Sequence, residues 1–162
     1  MNSISIDDAA SALFHAFFSG KAFDVRNVLL QRDGLVHASF PGQDSFLHLA
    51  AGERCAEIVA LLIEFGAPIN QVSPPSLFST PLCNAAREGH INSVRVLLSA
   101  GAWVDGDDRT SHTPLMLASR GGHDAVVQQL LDSGAEVNRL GYVQRFFALD
   151  FAVWHGTDQT KA

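Results

Sequence analysis

The chain contains little cysteine and no long apolar run, and both absences limit what it can be. Its two cysteines, Cys55 and Cys83, have no CxxC spacing and no His/Cys pair near them. The sequence therefore encodes neither a disulfide scaffold nor a zinc module, and both thiols are expected to be reduced core residues. No apolar run approaches the roughly 18 residues of a membrane span.

Basic residues are also scarce. Eleven Lys and Arg against 17 Asp and Glu give the 162-residue chain a formal net charge of −6. This balance excludes a generic nucleic-acid binder and a polybasic membrane-surface protein, and it favours a partner protein with a basic surface. No basic residue precedes Lys21, which is the wrong pattern for a signal peptide, so we expect a reducing, cytoplasmic location.

The chain does have apolar side chains in quantity and an internal period. Hydrophobic residues make up 47% of it, enough for one sizeable core. Three features recur at an offset of 33 residues: Thr80-Pro81-Leu82 with Thr113-Pro114-Leu115, Gly89-His90 with Gly122-His123, and Gly101-Ala102 with Gly134-Ala135. Each unit predicts two amphipathic helices, which must stack on neighbouring copies because one pair cannot bury its apolar face alone.

The repeated residues at the predicted helix starts and ends have physical roles. Thr before Pro favours a helix start, because the hydroxyl can cap free amides and Pro at the first position loses no hydrogen bond. Gly101 and Gly134 each follow a leucine-rich helix, where a left-handed residue ends it. Alanines at positions 85, 86 and 118 would let helices approach closely.

One unit resembles an ankyrin repeat at nearly every signature position. Its matching segments are Thr113-Pro114-Leu115-Met116-Leu117-Ala118, Gly122-His123, Val126-Val127, Leu130-Leu131 and Gly134-Ala135. The resemblance implies an all-α ankyrin-repeat solenoid of helix-turn-helix units with finger loops, about four repeats plus a partial fifth, in one array over residues 1–162. The approximate units are a divergent amino-terminal cap at 8–37, then 43–70, 78–105, 111–138 and a partial unit at 146–162. Arg54-Cys55 departs from the family's Gly-His, and two extra residues lie near Pro74-Pro75.

Seven histidines raise the question of metal binding or catalysis. The resemblance accounts for His48, His90 and His123, whose imidazoles would satisfy loop backbone groups. His15, His37, His112 and His155 have no metal-ligand spacing, and the acidic run Asp105, Asp107, Asp108 lacks the pattern of a calcium loop. No nucleophile elbow and no phosphate-binding glycine motif is present. We therefore predict no catalytic, cofactor-binding or metal residue, and no enzyme.

The resemblance implies that partners bind along the concave face, at the residues before each helix start and at the end of each first helix. Trp103 is added because the family often places a polar residue there. The candidate protein-binding residues are Phe78, Arg87, Glu88, Trp103, Arg109, His112, Arg120, Tyr142, Arg145 and Trp154. Arg and aromatic residues dominate interface hot spots, although Arg87 and Glu88 could instead pair with neighbours.

Phenylalanines cluster at both ends of the chain. Phe14, Phe17, Phe18 and Phe23 are expected to pack the first two helices and close the stack. Near the carboxyl end, Phe147, Phe151 and Trp154 would sit on a helix whose partner helix is missing, which leaves a homodimer through this incomplete repeat as an open alternative.

These features favour a non-enzymatic protein-interaction module, either an adaptor or a stoichiometric inhibitor such as a bacterial immunity protein. Neither nucleic acid nor a membrane is an expected partner, and no cofactor is expected. A first alternative is the amino-terminal ankyrin targeting domain of a larger multidomain protein or effector. A second, a small-molecule or metal-dependent enzyme, rests only on the four unexplained histidines.

Overall fold

A computed structural model describes residues 6–31, 34–37, 44–73, 79–107 and 112–139. These residues form eight α-helices and one short 3₁₀-helix, Leu35–His37. The α-helices are α1 (Ile6–Phe18), α2 (Ala22–Gln31), α3 (Phe46–Gly52), α4 (Ala56–Glu64), α5 (Pro81–Arg87), α6 (Ile91–Ser99), α7 (Pro114–Arg120) and α8 (Asp124–Asp132). The all-α prediction is therefore confirmed over the described part of the chain.

The helices are arranged in two layers. Helices α3, α5 and α7 pack on one another in chain order and form the inner layer, while α2, α4, α6 and α8 form the outer layer. The inner helices meet through small side chains, since Ala50, Ala51, Ala85, Ala86 and Ala118 are all fully buried. The inner helices contact one another more extensively than the outer helices do.

The core runs without a break through the stack. Leu47, Leu82 and Leu115 occupy equivalent positions of the three inner helices, and all three are buried. Burial of one leucine contributes about 1.5–3 kcal/mol relative to its exposed state, so each unit supplies part of its neighbour's core.

Helices start and end where the repeated Thr-Pro and Gly residues predict. Thr80 Oγ1 accepts a hydrogen bond from the Cys83 amide at 3.3 Å, and Thr113 Oγ1 accepts one from the Met116 amide at 3.2 Å. Proline stands in the first turn of both helices. At the other end of the units, Gly101 follows α6 with a φ of 92°. The left-handed glycine predicted there is confirmed.

Two predictions about apolar residues are wrong. Phe14 and Phe17 pack inward, but Phe18 is 62% exposed and Phe23 is 71% exposed. The reason is that, within the described residues, no further unit packs against the outward side of α1 and α2. Cys83 is a buried free thiol as expected, whereas Cys55 is only half-buried, in the turn before α4.

The threonine caps give a direct test of this fold. Replacing Thr113 with Ala removes the acceptor for the Met116 amide and should lower the free energy of unfolding by about 1 kcal/mol. Urea denaturation followed by circular dichroism measures this. Thr113→Ser keeps the hydroxyl and is the control; equal losses in both variants would show that the cap does not matter.

Candidate protein-binding face

Half of the candidate binding residues fall in the described part of the chain. These are Arg87, Glu88, Trp103, His112 and Arg120. The other predicted residues, Phe78, Arg109, Tyr142, Arg145 and Trp154, lie outside the described residues. So do Phe147 and Phe151 of the predicted partial repeat.

Arg87 and Arg120 are the last residues of the adjacent inner helices α5 and α7. Both are exposed and stand 33 residues apart, so they occupy equivalent places in neighbouring units. Arg87 Nε donates to Glu88 Oε1 at 3.0 Å, which is the local pairing considered from the sequence. Both side chains of that pair are 46% exposed, and such a pair contributes at most about 1 kcal/mol, so a partner can displace it at small cost.

His112 lies directly before α7 and is influenced by Arg120 at the end of the same helix. Partial burial lowers the pKa of His112, and the positive charge of Arg120 lowers it further. Two of the predicted binding residues therefore influence each other electrostatically, and near neutral pH the lowered pKa favours an uncharged His112 imidazole.

Trp103 is exposed, at 51%, but it lies elsewhere in the unit. It follows the outer helix α6, in the loop where the backbone N–H of Trp103 donates to Asn70 Oδ1 at 2.8 Å. The two helices of a unit run antiparallel, so this loop is at the opposite end of the unit from Arg87. A seven-residue helix, about 10 Å long, separates the two ends, and the indole and the arginines do not form one cluster.

A buried polar network at the start of α3 shows why His48 is structural. The His48 ring is fully buried; Ser45 Oγ lies 2.8 Å from its Nδ1, and its Nε2 lies 3.0 Å from the Ser79 carbonyl oxygen. A carbonyl only accepts, so Nε2 carries the proton and Nδ1 accepts from the Ser45 hydroxyl. Both ring nitrogens are therefore occupied. Burial lowers the pKa of His48, while the hydrogen bond to Ser79 and the charge of Asp44 oppose that shift only in part.

His90 and His123 connect neighbouring units, as predicted. His90 Nε2 donates to the Gly52 carbonyl at 3.1 Å, and His123 Nε2 donates to the Arg87 carbonyl at 3.0 Å. Each imidazole thus satisfies a free carbonyl at the carboxyl end of the preceding inner helix. Cys55 stands at the equivalent place before α4, and burial followed by the charges of Glu53 and Glu57 raises the pKa of its thiol. A protonated thiol is a poor nucleophile and a poor metal ligand.

Residues 6–31, 34–37, 44–73, 79–107 and 112–139 hold no group of three His, Cys, Asp or Glu side chains arranged to bind a metal ion. No helix within the same residues is long and apolar enough to cross a membrane.

The described residues form a row of helix-turn-helix units. Threonine caps start helices, left-handed glycines follow helices, and histidines connect neighbouring units. Such a row is an α-solenoid, a class of protein that commonly binds other proteins. Residues 47–140 match a family profile of three ankyrin repeats, which covers more than half of the chain. The chain belongs to the ankyrin repeat family, and the predicted resemblance is confirmed. Ankyrin repeats are generally protein–protein interaction modules, and the family is typically non-enzymatic.

Two relatives share 36% identity with the chain. One is the human "Ankyrin repeat and KH domain-containing protein 1", aligned over 103 residues, which are 64% of this chain and 4% of that protein. The other is the "Probable E3 ubiquitin-protein ligase XBOS33" of Oryza sativa subsp. japonica, aligned over 98 residues, which are 60% of this chain and 18% of that protein. The chain therefore matches only a small part of each relative's length.

The electrostatic effect of Arg120 on His112 can be tested by titration. Arg120→Gln removes the positive charge, so the pKa of His112 should rise, although burial keeps it below its ordinary value of 6.5. Histidine proton shifts measured by NMR across pH 5 to 8 give the pKa. Arg95→Gln, which removes an exposed charge from the outer helix α6, is the control. An unchanged His112 pKa in Arg120→Gln would contradict the arrangement.

His48 predicts a pH dependence of stability. Because its folded-state pKa is lowered from 6.5, the unfolded chain takes up a proton first as the pH falls, and stability is lost from about pH 6.5 downward. The free energy of unfolding, measured with urea, should fall more between pH 7.5 and pH 5.5 for the wild type than for His48→Gln. This difference has an upper limit of about 1.4 kcal/mol, because only the pH unit from 6.5 to 5.5 lies below the ordinary histidine pKa of 6.5. An identical pH dependence of the two proteins would exclude His48 as the source.

Proposed function

We propose that the chain binds a partner protein along the concave face formed by its inner helices and finger loops, and that it has no catalytic activity of its own. The observation that supports this most is the repeated placement of Arg87 and Arg120 at the exposed ends of adjacent inner helices. Arginine offers a planar fork of donors and a large contact area, and it is enriched at interface hot spots.

The charge of the chain indicates the kind of partner. A formal net charge of −6 favours association with a basic surface and predicts a complex that weakens with salt. In this role the chain is a cytoplasmic adaptor or a stoichiometric inhibitor, for which a bacterial immunity protein is one example. His112 and Arg120 contribute specificity at α7, and Trp103 offers a separate apolar contact at the finger end of the neighbouring unit.

A second candidate function is that of a targeting domain within a longer protein. The two relatives favour it, because the region that matches this chain makes up only 4% of one relative and 18% of the other. In that role the same face selects the target, and the activity belongs to another domain. An immunoblot of a lysate from the native host, with an antibody against these repeats, separates the two roles by the size of the chain that it detects.

Affinity capture from the native host followed by mass spectrometry tests the binding face. We expect one stoichiometric partner, lost at high salt and reduced in the Arg87→Ala and Arg120→Ala variants. Arg95→Ala is the matched control, because Arg95 is an exposed arginine on the outer helix α6, where its Nε donates to Gln129 Oε1. Capture reduced equally by Arg95→Ala, or unaffected by all three changes, would exclude the proposed face.

A further inference from the structure

A cavity opens at the edge of the stack where the turns between inner and outer helices lie. It has about 100 Å³ of space open to water and is lined by Arg54 and Ala56 of one unit and by residues 89–93 of the next. A single water needs roughly 10–15 Å³ by this measure, so the cavity can hold something larger than one water. It is distinct from the concave face, because residues 91–93 begin the outer helix α6.

The cavity exists because of an unusual residue in the period. Ser93 stands where the following unit has Val126, 33 residues later, and where the preceding unit has Ile58. All three residues are only 1% exposed, so the position is a core position in each unit. Serine lacks the methyl groups of Val or Ile, and the space that they would fill is left open beside its hydroxyl.

The Ser93 hydroxyl has no hydrogen-bond partner among the described residues, although the residue is buried. Other helical serines of the chain do bond to the preceding turn; Ser99 Oγ, for example, donates to the Val96 carbonyl at 2.8 Å. Ser93 lines the cavity, and its oxygen is not among the fully buried side-chain atoms that lack a partner, so the hydroxyl is open to the cavity rather than sealed in the core. The hydroxyl is therefore available to a ligand.

The backbone beside it is also available. In α4 and α8, the amides of Ile58 and Val126 each donate to the carbonyl three residues earlier, at 2.9 Å. The described structure shows no such bond for the Ser93 amide or the Asn92 amide, and the N-cap residue His90 provides no side-chain cap. Two free N–H groups at the start of a nine-residue helix attract an anion, because the positive end of the helix dipole lies there.

A cation completes the lining. Arg54 is exposed in the turn between α3 and α4, and it stands where the family has glycine. None of the lining residues carries a carboxylate. Glu53 and Glu57 flank Arg54 in sequence but do not line the cavity. The lining therefore includes hydrogen-bond donors and one positive charge beside the apolar side chains of Ala56 and Ile91.

We infer that this cavity binds a phosphate-type oxyanion, held by the Ser93 hydroxyl, the Asn92 and Ser93 amides and the Arg54 guanidinium. The ligand is a free phosphate ion or a phosphoryl group carried on a peptide, since both present the same oxygens. Four donors around a tetrahedral anion match the charge-assisted hydrogen bonds by which proteins bind phosphate.

An NMR titration of the full chain tests this inference. Inorganic phosphate should shift the Asn92 and Ser93 amide resonances saturably, and sodium chloride at the same ionic strength should not. A phosphoserine-containing tripeptide is titrated in parallel; tighter binding than phosphate assigns the site to an esterified group, and weaker binding assigns it to the free ion. The absence of a saturable shift with either ligand would overturn the inference.

Variants locate the binding to the cavity. Ser93→Val restores the residue type of the following unit and should abolish the shift while leaving the fold intact, and Ser93→Ala removes the hydroxyl without filling the space. Arg54→Ala should weaken binding by about tenfold or more, as expected for the loss of a charge-assisted contact. Arg120→Ala removes an exposed arginine outside the cavity and is the control. Binding retained in Ser93→Val, or equal losses in both arginine variants, would contradict the site.

Discussion

The contact between successive inner helices is the interaction on which the rest of the structure depends. Each helix pair has an apolar face that it cannot bury alone, and the neighbouring pair covers it. The fully buried Ala50, Ala85 and Ala118 let α3, α5 and α7 approach closely, and the leucines beside them fill the shared core. The exposed helix ends and the aligned turns follow from this packing.

The same packing explains why polar groups in the stack are shared between units. His90 and His123 each reach the carboxyl end of the preceding inner helix, and His48 reaches the Ser79 carbonyl, which belongs to the following unit. A carbonyl at a helix end has no partner within its own helix, and for Gly52 and Arg87 a histidine of the next unit supplies one. These imidazoles therefore hold the repeats in register.

The period predicts those parts of the fold that every unit repeats. It gives the helix starts at Thr80 and Thr113, the glycine after α6 and the bridging histidines, because each has a local physical cause that recurs. It does not predict the exposure of Phe18 and Phe23, because the unit of α1 and α2 has a neighbour on one side only within the described residues. Terminal units are where a repeat pattern loses its predictive value.

The candidate sites were predictable to different degrees. The family resemblance identifies Arg87 and Arg120 as exposed helix ends, but it does not show that Arg120 affects the titration of His112, which requires the side-chain direction. Ser93 was missed, because a search for apolar periodicity in α6 finds Val94 and Leu97 and passes over a buried serine between apolar positions. Comparison of Ser93 with Val126, one period later, is the signal that could have found it.

A serine at core position 93 is compatible with a stable fold because the repeats pack along a single row. In a solenoid each unit contacts only its neighbours, so the cost of an underfilled core position is confined to the interfaces on either side of α6. Arg54 replaces the family's glycine in the preceding unit, next to the same cavity. Two departures from the repeat pattern thus meet at one interface, where an oxyanion would supply the hydrogen-bond partners and the negative charge that the chain itself does not provide.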